Sequence, residues 1–180
     1  MTTMDGARLD DQVRRVIDAN MYMVLGTADA SGRPWTAPVF YAAEGYRDFY
    51  WISSPDVTHS RNLAVRPEAS IVVFDSRAPV GTGGDHAVYM AATAAEVAPD
   101  ELDRALALAP SFARRGGADL TAADLRPPAP YRLYRATVTE RSVLCPRAAG
   151  EPCVDHGLRH DHRTRVLLVP PGDGVGPPSS

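Results

Sequence analysis

Turn signals divide the chain into short apolar segments, and this spacing limits its fold more than any other feature. Residues 21–28 form a continuous apolar run, and residues 29–34 after it are typical of a hairpin turn. Short runs bounded in this way predict β-strands. The predicted strands cover residues 21–28, 35–43, 49–53, 70–75, 86–97, 131–144 and 163–169.

Helical patterns are few and lie between these strands. They cover residues 8–20, 60–66 and 99–109, with one further helical turn at 121–125. Two short turns join the first three strands, so we expect an antiparallel meander, and Pro38 predicts an edge or a bulge in the second strand. The strands are too short and too mixed for a parallel doubly wound sheet. The pattern therefore favours a mostly β fold with peripheral helices, arranged as a small antiparallel barrel.

The length of 180 residues is typical of one domain. We expect a single domain over residues 1–169, followed by a disordered tail at 170–180 that is rich in Pro, Gly and Ser. The sequence contains neither an internal repeat nor a run of 18 apolar residues, and its first 20 residues lack the pattern of a signal peptide. We therefore expect a cytoplasmic protein without membrane partners, whose two cysteines are reduced.

Lysine is absent, because all 19 basic residues are arginine. This composition excludes chemistry that needs a lysine amine, such as a Schiff base or the lysine of a phosphate-binding P-loop. The net charge of -3, without a basic block, disfavours nucleic acid as a partner. A phosphate group bound here would have to be held by arginine, histidine, hydroxyl or backbone N–H groups.

An ordered set of short motifs over residues 21–97 resembles the pyridoxamine-phosphate-oxidase-like and flavin-reductase-like split barrels. The set comprises residues 24–27, 32–34, 36–40, 49–54, 59–63, 66–67 and 71–74. The resemblance implies an antiparallel split β-barrel that binds FMN, and a homodimer with the cofactor at the subunit interface. Some branches of this family use the deazaflavin F420 in place of FMN, and a few relatives bind haem.

The resemblance implies that residues 59–62 hold the phosphate group of the cofactor. Arg61 can form a forked, charge-assisted pair of hydrogen bonds with a phosphate, and His59, Ser60 and Asn62 can add donors. A helix that starts near residues 58–60 would point its N–H groups at the same phosphate. The classical oxidases have Ser-Arg-Lys here, so Asn62 removes one charge. The alternative is a solvated helix face on which Ser60 is an ordinary cap.

The resemblance also places the flavin ring against the second and third strands. The implied contacts are Thr36, Ala37, Pro38, Val39, Trp51, Ile52 and Ser53. Pro38 removes one donor from the strand ladder, which frees neighbouring backbone to reach the ring. Ordinary core packing is the alternative for the aromatic residue Trp51. The glycine-rich loop at 81–84 is a weaker candidate for cofactor contact.

Taken together, these residues favour an FMN-dependent oxidoreductase that transfers hydride to or from a small organic substrate. His86, Tyr50 and Tyr89 are the candidate proton donors. The alternatives are an F420-dependent reductase, a non-catalytic protein that binds flavin or haem, and a barrel that has lost its cofactor. Residues 158–163 only superficially match the segment with which the classical oxidase grips pyridoxal phosphate, so that substrate is not expected.

Both cysteines and three of the five histidines fall between residues 145 and 162. Thiolate and imidazole are ligands that suit zinc, and the candidate ligands are Cys145, Cys153, His156 and His160, with His162 close by. The spacing matches no standard zinc finger or ribbon. We therefore favour a terminal loop without metal, and keep as alternatives a zinc site and a lid in which Arg159, His160 and His162 cover the partner's flavin.

Overall fold

The computed structural model describes residues 6–79, 86–108, 112, 115–145, 150–153 and 156–168. The expected tail at 170–180 and the glycine-rich loop at 81–84 lie outside the described residues. Residue 169 also lies outside them, so the domain boundary at that position stays a prediction. All the described strands belong to one sheet.

The helices and strands follow the predicted order, with bounds that differ by a few residues. They are α1 (Gly6–Ala19), β1 (Tyr22–Ala28), β2 (Pro34–Phe40), β3 (Ala42–Glu44), β4 (Asp48–Ser53), α2 (Thr58–Val65), β5 (Glu68–Phe74), β6 (Ala87–Glu96), α3 (Leu102–Leu108), a 3₁₀ turn (Ala122–Leu125), β7 (Arg132–Leu144) and β8 (Arg163–Val166).

The sheet is antiparallel and has the strand order β2-β1-β5-β6-β7-β4-β3, with β8 paired to β7. It curls into a half-barrel, so the expected mostly β, antiparallel fold is confirmed. The strand β2 lies at one end of this order, which confirms the edge position predicted from Pro38. An edge strand can carry a proline because its outward N–H has no ladder partner to lose.

The predicted meander is wrong, because the second predicted strand is two strands. The strand is interrupted at Tyr41. The first part, β2, pairs with β1, whereas the second part, β3, pairs with β4. Tyr41 is fully buried, and its hydroxyl donates a hydrogen bond of 2.7 Å to the carbonyl of Ile17 in α1. Burial raises the pKa of Tyr41 to about 12. This anchored residue marks the change of pairing partner, and β4 continues the sheet through β7 instead of β2.

The two faces of β4 belong to different hydrophobic clusters. Trp51 lies in the main core between α1 and the sheet, where it stacks on Tyr134 with ring centres 5.5 Å apart. Tyr50 points to the other side and packs in a second cluster with Leu102 and Leu125. Successive strand residues face opposite sides of a sheet. Trp51 and Tyr50 therefore cannot both contribute to one site.

The helix α1 is fastened to the sheet by a buried arginine. Arg141 of β7 bonds the carboxylate of Asp10 in α1 and donates a 2.7 Å hydrogen bond to the carbonyl of Leu167. Burial acts to raise the pKa of Asp10, but the hydrogen bond from Arg14 and the charges of Arg141 and Arg14 outweigh it, so the pKa lies below its ordinary value. Among the described residues, no helix has both the length and the apolar character that a membrane crossing requires.

Candidate functional site

The first turn of α2 contains backbone donors that the helix itself leaves without acceptors. The helix begins at Thr58, and its first hydrogen bond runs from the N–H of Arg61 to the carbonyl of Val57, at 3.0 Å. The three preceding N–H groups, those of residues 58–60, therefore have no acceptor within the helix. Val57 at the N-cap provides no side-chain hydrogen bond. The expected start of the helix is confirmed, and Ser60 does not act as its cap.

A cleft of about 220 Å³ lies between this helix and the β1–β2 hairpin. It is lined by Asp29, Arg33, Pro34, Trp35, Thr58 and Asn62. The cleft therefore combines an arginine with a hydroxyl, a carboxamide and the start of a helix. Such a donor set is typical of an anion site, because the helix N-terminus carries partial positive charge.

The hairpin turn that carries Arg33 is built around Asp29. The Asp29 carboxylate accepts hydrogen bonds from the Ser31 hydroxyl at 2.6 Å, the Ser31 N–H at 2.9 Å and the Arg33 N–H at 3.0 Å. The bonds from Ser31 and Arg33 hold the pKa of Asp29 below its ordinary value. Gly32 supplies the positive φ of +88° that the turn requires. The only described carboxylate that lines the cleft is thus already engaged by three donors.

Buried polar contacts join α2 to the two strands beneath it. The side-chain amide of Asn62 donates to the Thr27 hydroxyl at 3.1 Å, and that hydroxyl donates to the carbonyl of Trp35 at 3.4 Å. Asn62 and Thr27 are both buried. Asn62, which stands where the family pattern has lysine, therefore fixes the helix to β1 while it also lines the cleft.

His59 is buried in the first turn of α2 and contacts the end of β4. Its Nε2 lies 2.9 Å from the hydroxyl of Ser53 at the end of β4. Burial lowers the pKa of His59 below its ordinary value of 6.5. Burial therefore disfavours the charged form of His59, and its ring lies within hydrogen-bond distance of the Ser53 hydroxyl.

Ser60 and Trp51 belong to the buried side of the site. The Ser60 hydroxyl is buried and makes no hydrogen bond of ordinary geometry with a described residue. It nevertheless lies close enough to Tyr134 to offset part of the rise that burial causes in the pKa of that phenol. The Trp51 ring is fully buried, and its indole N–H also lacks a described partner. Trp51 therefore packs in the core and offers no surface to a cofactor in this chain.

Arg61 lies on the exposed side of α2, where its Nη1 donates to the backbone carbonyl of Asp56. It is adjacent to the helix start but does not line the 220 Å³ cleft. Sequence reasoning missed Arg33 and Thr58, which do line it. Their signal was the hairpin at residues 29–34 opposite a helix N-terminus, but only the pairing of β1 with β2 shows that the two meet.

The predicted ring contacts on β2 are divided between the two faces of the strand. Thr36 and Pro38 are exposed on the outer face, Ala37 is half-buried, and Val39 points into the core. On β4, Ile52 and Ser53 are half-buried.

The outer face of β2 continues across β1. There, Gly26 lies so close to Ser70 of β5 that an added Cβ would be 2.3 Å from the Ser70 hydroxyl. The outer face therefore contains exposed positions that a planar ring could cover.

The three candidate proton donors lie in different places. Tyr50 is buried in the second cluster. Burial, followed by the charge of Asp48, raises the pKa of Tyr50.

Tyr89 faces a groove of about 630 Å³ on the outer side of β5, β6, β7 and β8. The guanidinium carbon of Arg163 lies 4.4 Å from the centre of the Tyr89 ring. His86 immediately precedes β6 and accepts a hydrogen bond from the Asp75 N–H on its carbonyl, at 2.9 Å. Of the two tyrosines, only Tyr89 reaches an open groove.

Comparison with solved structures agrees with this architecture. The haem storage protein HutZ from Vibrio cholerae superposes with a TM-score of 0.57 and 20% identity, over 72% of this chain and 89% of that chain. A haem-binding protein from Mycobacterium smegmatis gives a TM-score of 0.59 and 21% identity, over 92% of this chain and 60% of that chain. A proposed 5-nitroimidazole antibiotic resistance protein from Bacteroides thetaiotaomicron gives 0.58 and 14%, over 79% and 85%.

These identities show a shared fold and no more, and the chain spans less than two thirds of the Mycobacterium smegmatis protein. No curated protein matches the chain. The sequence profile described as pyridoxamine 5'-phosphate oxidase, however, matches residues 9–145. Because this match covers well over half of the sequence and the fold agrees with it, the chain belongs to the pyridoxamine 5'-phosphate oxidase family.

Proposed function

We propose that this protein is an FMN-dependent oxidoreductase that works as a homodimer and transfers hydride to or from a small organic substrate. The observation that carries the proposal is the cleft between α2 and the β1–β2 hairpin. There, Thr58 at the start of α2 and Arg33 of the hairpin line one small space, and the N–H groups of residues 58–60 have no acceptor within the helix. Family membership makes flavin the first cofactor to consider in it.

The donor set fits a phosphate monoester, which carries close to two negative charges near neutral pH. Arg33 and Arg61 flank the start of α2, and guanidinium groups pair with phosphate through two parallel hydrogen bonds. Burial disfavours the charged form of His59, so in this proposal the arginines and the helix N-terminus provide the positive potential. This arrangement needs no lysine, in agreement with the composition.

The ring of the cofactor would be covered by the outer face of the sheet and by a second copy of the chain. This face carries apolar side chains that the single chain leaves partly uncovered. Tyr22 is 60% exposed and Phe74 is 45% exposed, while Val24 and Val72 are half-buried. Thr36 and Pro38 lie on the same face, so a dimer formed there would enclose their side chains together with a bound ring.

When bound, FMN supplies the hydride chemistry, and the protein provides binding, orientation and exclusion of water. The cleft residues hold the phosphate and thereby fix the position of the rest of the molecule. Tyr89 is the best-placed proton donor, because its ring borders the open groove and Arg163 covers one side of it. Tyr50 does not line this groove, since it is buried in the second cluster.

The cofactor itself is the first test. The full chain should be purified without added cofactor, its absorption spectrum recorded, and the released molecule identified by mass spectrometry. We expect FMN, and apoprotein titrated separately with FMN, F420 and haemin should bind FMN most tightly. Release of F420 would indicate the deazaflavin branch, whereas selective binding of haemin would indicate a haem protein. Binding of none of the three would refute the proposal.

A further inference from the structure

Four potential ligand atoms meet where β7 ends, in a part of the molecule that the flavin proposal does not use. The sulfur atoms of Cys145 and Cys153 and one nitrogen atom each of His156 and His162 all lie within 4.8 Å of one another. The Nδ1 of His156 is 3.6 Å from the Cys145 sulfur, 3.5 Å from the Cys153 sulfur and 3.1 Å from the Nε2 of His162. The two sulfur atoms are 2.9 Å apart and form no disulfide.

These distances are close to those of a tetrahedral zinc site. Zinc bonds of about 2.0–2.3 Å to nitrogen and sulfur place neighbouring ligand atoms about 3.3–3.8 Å apart. Three of the four distances lie within a few tenths of an ångström of this range, and the two sulfurs need to separate by less than about 1 Å. Two thiolates and two imidazoles form the ligand set of closed, structural zinc sites.

The hydrogen bonds around His162 orient it as a metal ligand. Its Nδ1 lies 3.0 Å from the backbone carbonyl of His160, so Nδ1 carries the proton and donates it to that oxygen. The lone pair is then on Nε2, which is the atom that faces the cluster. A carbonyl acceptor on the far nitrogen is the usual outer partner of a zinc-bound histidine. His160, a candidate in the sequence, thus contributes its backbone to the site while His162 occupies the ligand position.

The local backbone also brings the remaining ligands to one side. The N–H of Gly157 donates to the carbonyl of Cys153 at 2.7 Å, and Gly157 has a φ of +67°, which glycine adopts without strain. This bond holds Gly157, the neighbour of His156, against Cys153. The N–H of Cys145 donates to the carbonyl of His162 at 2.8 Å, which joins the end of β7 to the start of β8. Both cysteines are buried, whereas His156 is exposed.

We propose that Cys145, Cys153, His156 and His162 bind one zinc ion that fastens the C-terminal segment to the end of β7. All four ligands are protein side chains, so the site is structural and leaves no position for substrate. Its effect reaches β8, where Arg163 covers Tyr89 and Arg165 pairs with Glu140 at 2.8 Å. Zinc would therefore hold two of the three arginines that line the 630 Å³ groove, Arg163 and Arg165.

Metal analysis of the full chain tests this proposal. Protein free of a histidine tag should be purified under reductant and its zinc measured by inductively coupled plasma mass spectrometry. We expect one zinc per chain in the wild type. Because His160 acts through its carbonyl, His160→Ala should keep the metal, whereas Cys153→Ser and His162→Ala should lose it. Equal loss in His160→Ala and His162→Ala would contradict the ligand set.

Cobalt provides a readout that needs no variant. Co²⁺ added to the zinc-depleted, reduced protein should give the intense visible absorption of a tetrahedral thiolate site, and zinc should displace it. Zinc-loaded protein should also exchange its β8 amide hydrogens more slowly than depleted protein. A reduced wild type that contains no zinc and gives no tetrahedral cobalt spectrum would overturn the proposal, as would a Cys145–Cys153 disulfide in protein kept under reductant throughout.

Discussion

The side-chain amide of Asn62 in α2 donates a hydrogen bond of 3.1 Å to the hydroxyl of Thr27 in β1, and both groups are buried. The family pattern has lysine at the position of Asn62, and a charged amine could not occupy this buried contact without a large desolvation cost. At this position the chain therefore has a neutral side chain that fixes α2 to β1. In the proposed site, charge compensation for a phosphate is left to the arginines.

Removing this contact should destabilise the fold. We expect Asn62→Ala to lower the free energy of unfolding by about 1–3 kcal/mol, since it leaves a buried hydroxyl with one partner fewer. Thr27→Val and the double variant complete a double-mutant cycle in urea denaturation. The two changes should be less costly together than their sum, because each removes the same bond. Strict additivity would show that the two groups contribute independently.

Arginine at the start of α2 should control cofactor affinity. We expect Arg33→Ala and Arg61→Ala each to weaken FMN binding by about 10–100-fold, because a hydrogen bond to a charged group contributes about 1.5–3 kcal/mol. Quenching of flavin fluorescence measures the dissociation constant. Arg8→Ala, which removes an exposed arginine from α1, is the matched control.

Riboflavin, which lacks the phosphate, separates a direct role from a general one. Its affinity should be the same in the wild type and in both variants if the arginines bind the phosphate. An unchanged FMN affinity in Arg33→Ala would remove the cleft from the proposed site, and an unchanged affinity in Arg61→Ala would remove that residue from it.

Burial of His59 should make the fold less stable in mild acid. The pKa of His59 is lowered in the folded protein, so below pH 6.5 the unfolded chain takes up a proton that the folded chain does not. Stability should therefore fall as the pH drops below 6.5, by at most about 1.4 kcal/mol per pH unit from this group, and level off below the folded pKa. Urea denaturation at several pH values measures this slope.

The variant His59→Gln should remove the slope, since glutamine does not titrate and can still hydrogen-bond the Ser53 hydroxyl. NMR titration of the imidazole ring provides an independent check on the wild type. A pKa at or above 6.5 would contradict the placement of His59 in a dry, buried environment.

The outer face of the sheet should mediate dimerisation. We expect Val72→Glu to shift the protein from dimer to monomer, because it places a charge among apolar side chains that a second copy would cover. Light scattering after size-exclusion chromatography measures the mass, and circular dichroism checks the fold. The control Glu68→Gln changes the same face of β5 near its end. A wild type that is monomeric at micromolar concentration would contradict the proposed dimer.

Most of the fold could be predicted from the sequence, because alternation and turn residues are local signals. The Pro38 edge strand and the α2 start at Thr58 both follow from such signals. The break at Tyr41 could not be predicted, since residues 35–43 read as one apolar strand. At the break, Tyr41 bonds Ile17, which is 24 residues away in the chain, so no local pattern marks it.

The candidate site could also be predicted only in part. The polar residue types at 59–62, and the exclusion of lysine chemistry, follow from composition and order alone. Sequence could not separate Trp51, which is buried, from Pro38, which is exposed, because both lie in apolar strands. Nor could it show that His162, and not His160, has its ring beside the two cysteines.

The sequence by itself determined the antiparallel strand pattern and the family resemblance, because these depend on residue type and short-range order. It also determined that no lysine amine is available, because all 19 basic residues are arginine. Only the tertiary structure decided that Arg33 faces the start of α2, that Tyr89 and not Tyr50 reaches an open groove, and that His162 meets the two cysteines. Each of these results depends on which strands pair and on what covers each face of the sheet. Pairing is set by packing between residues far apart in the chain, for which the local pattern holds no signal.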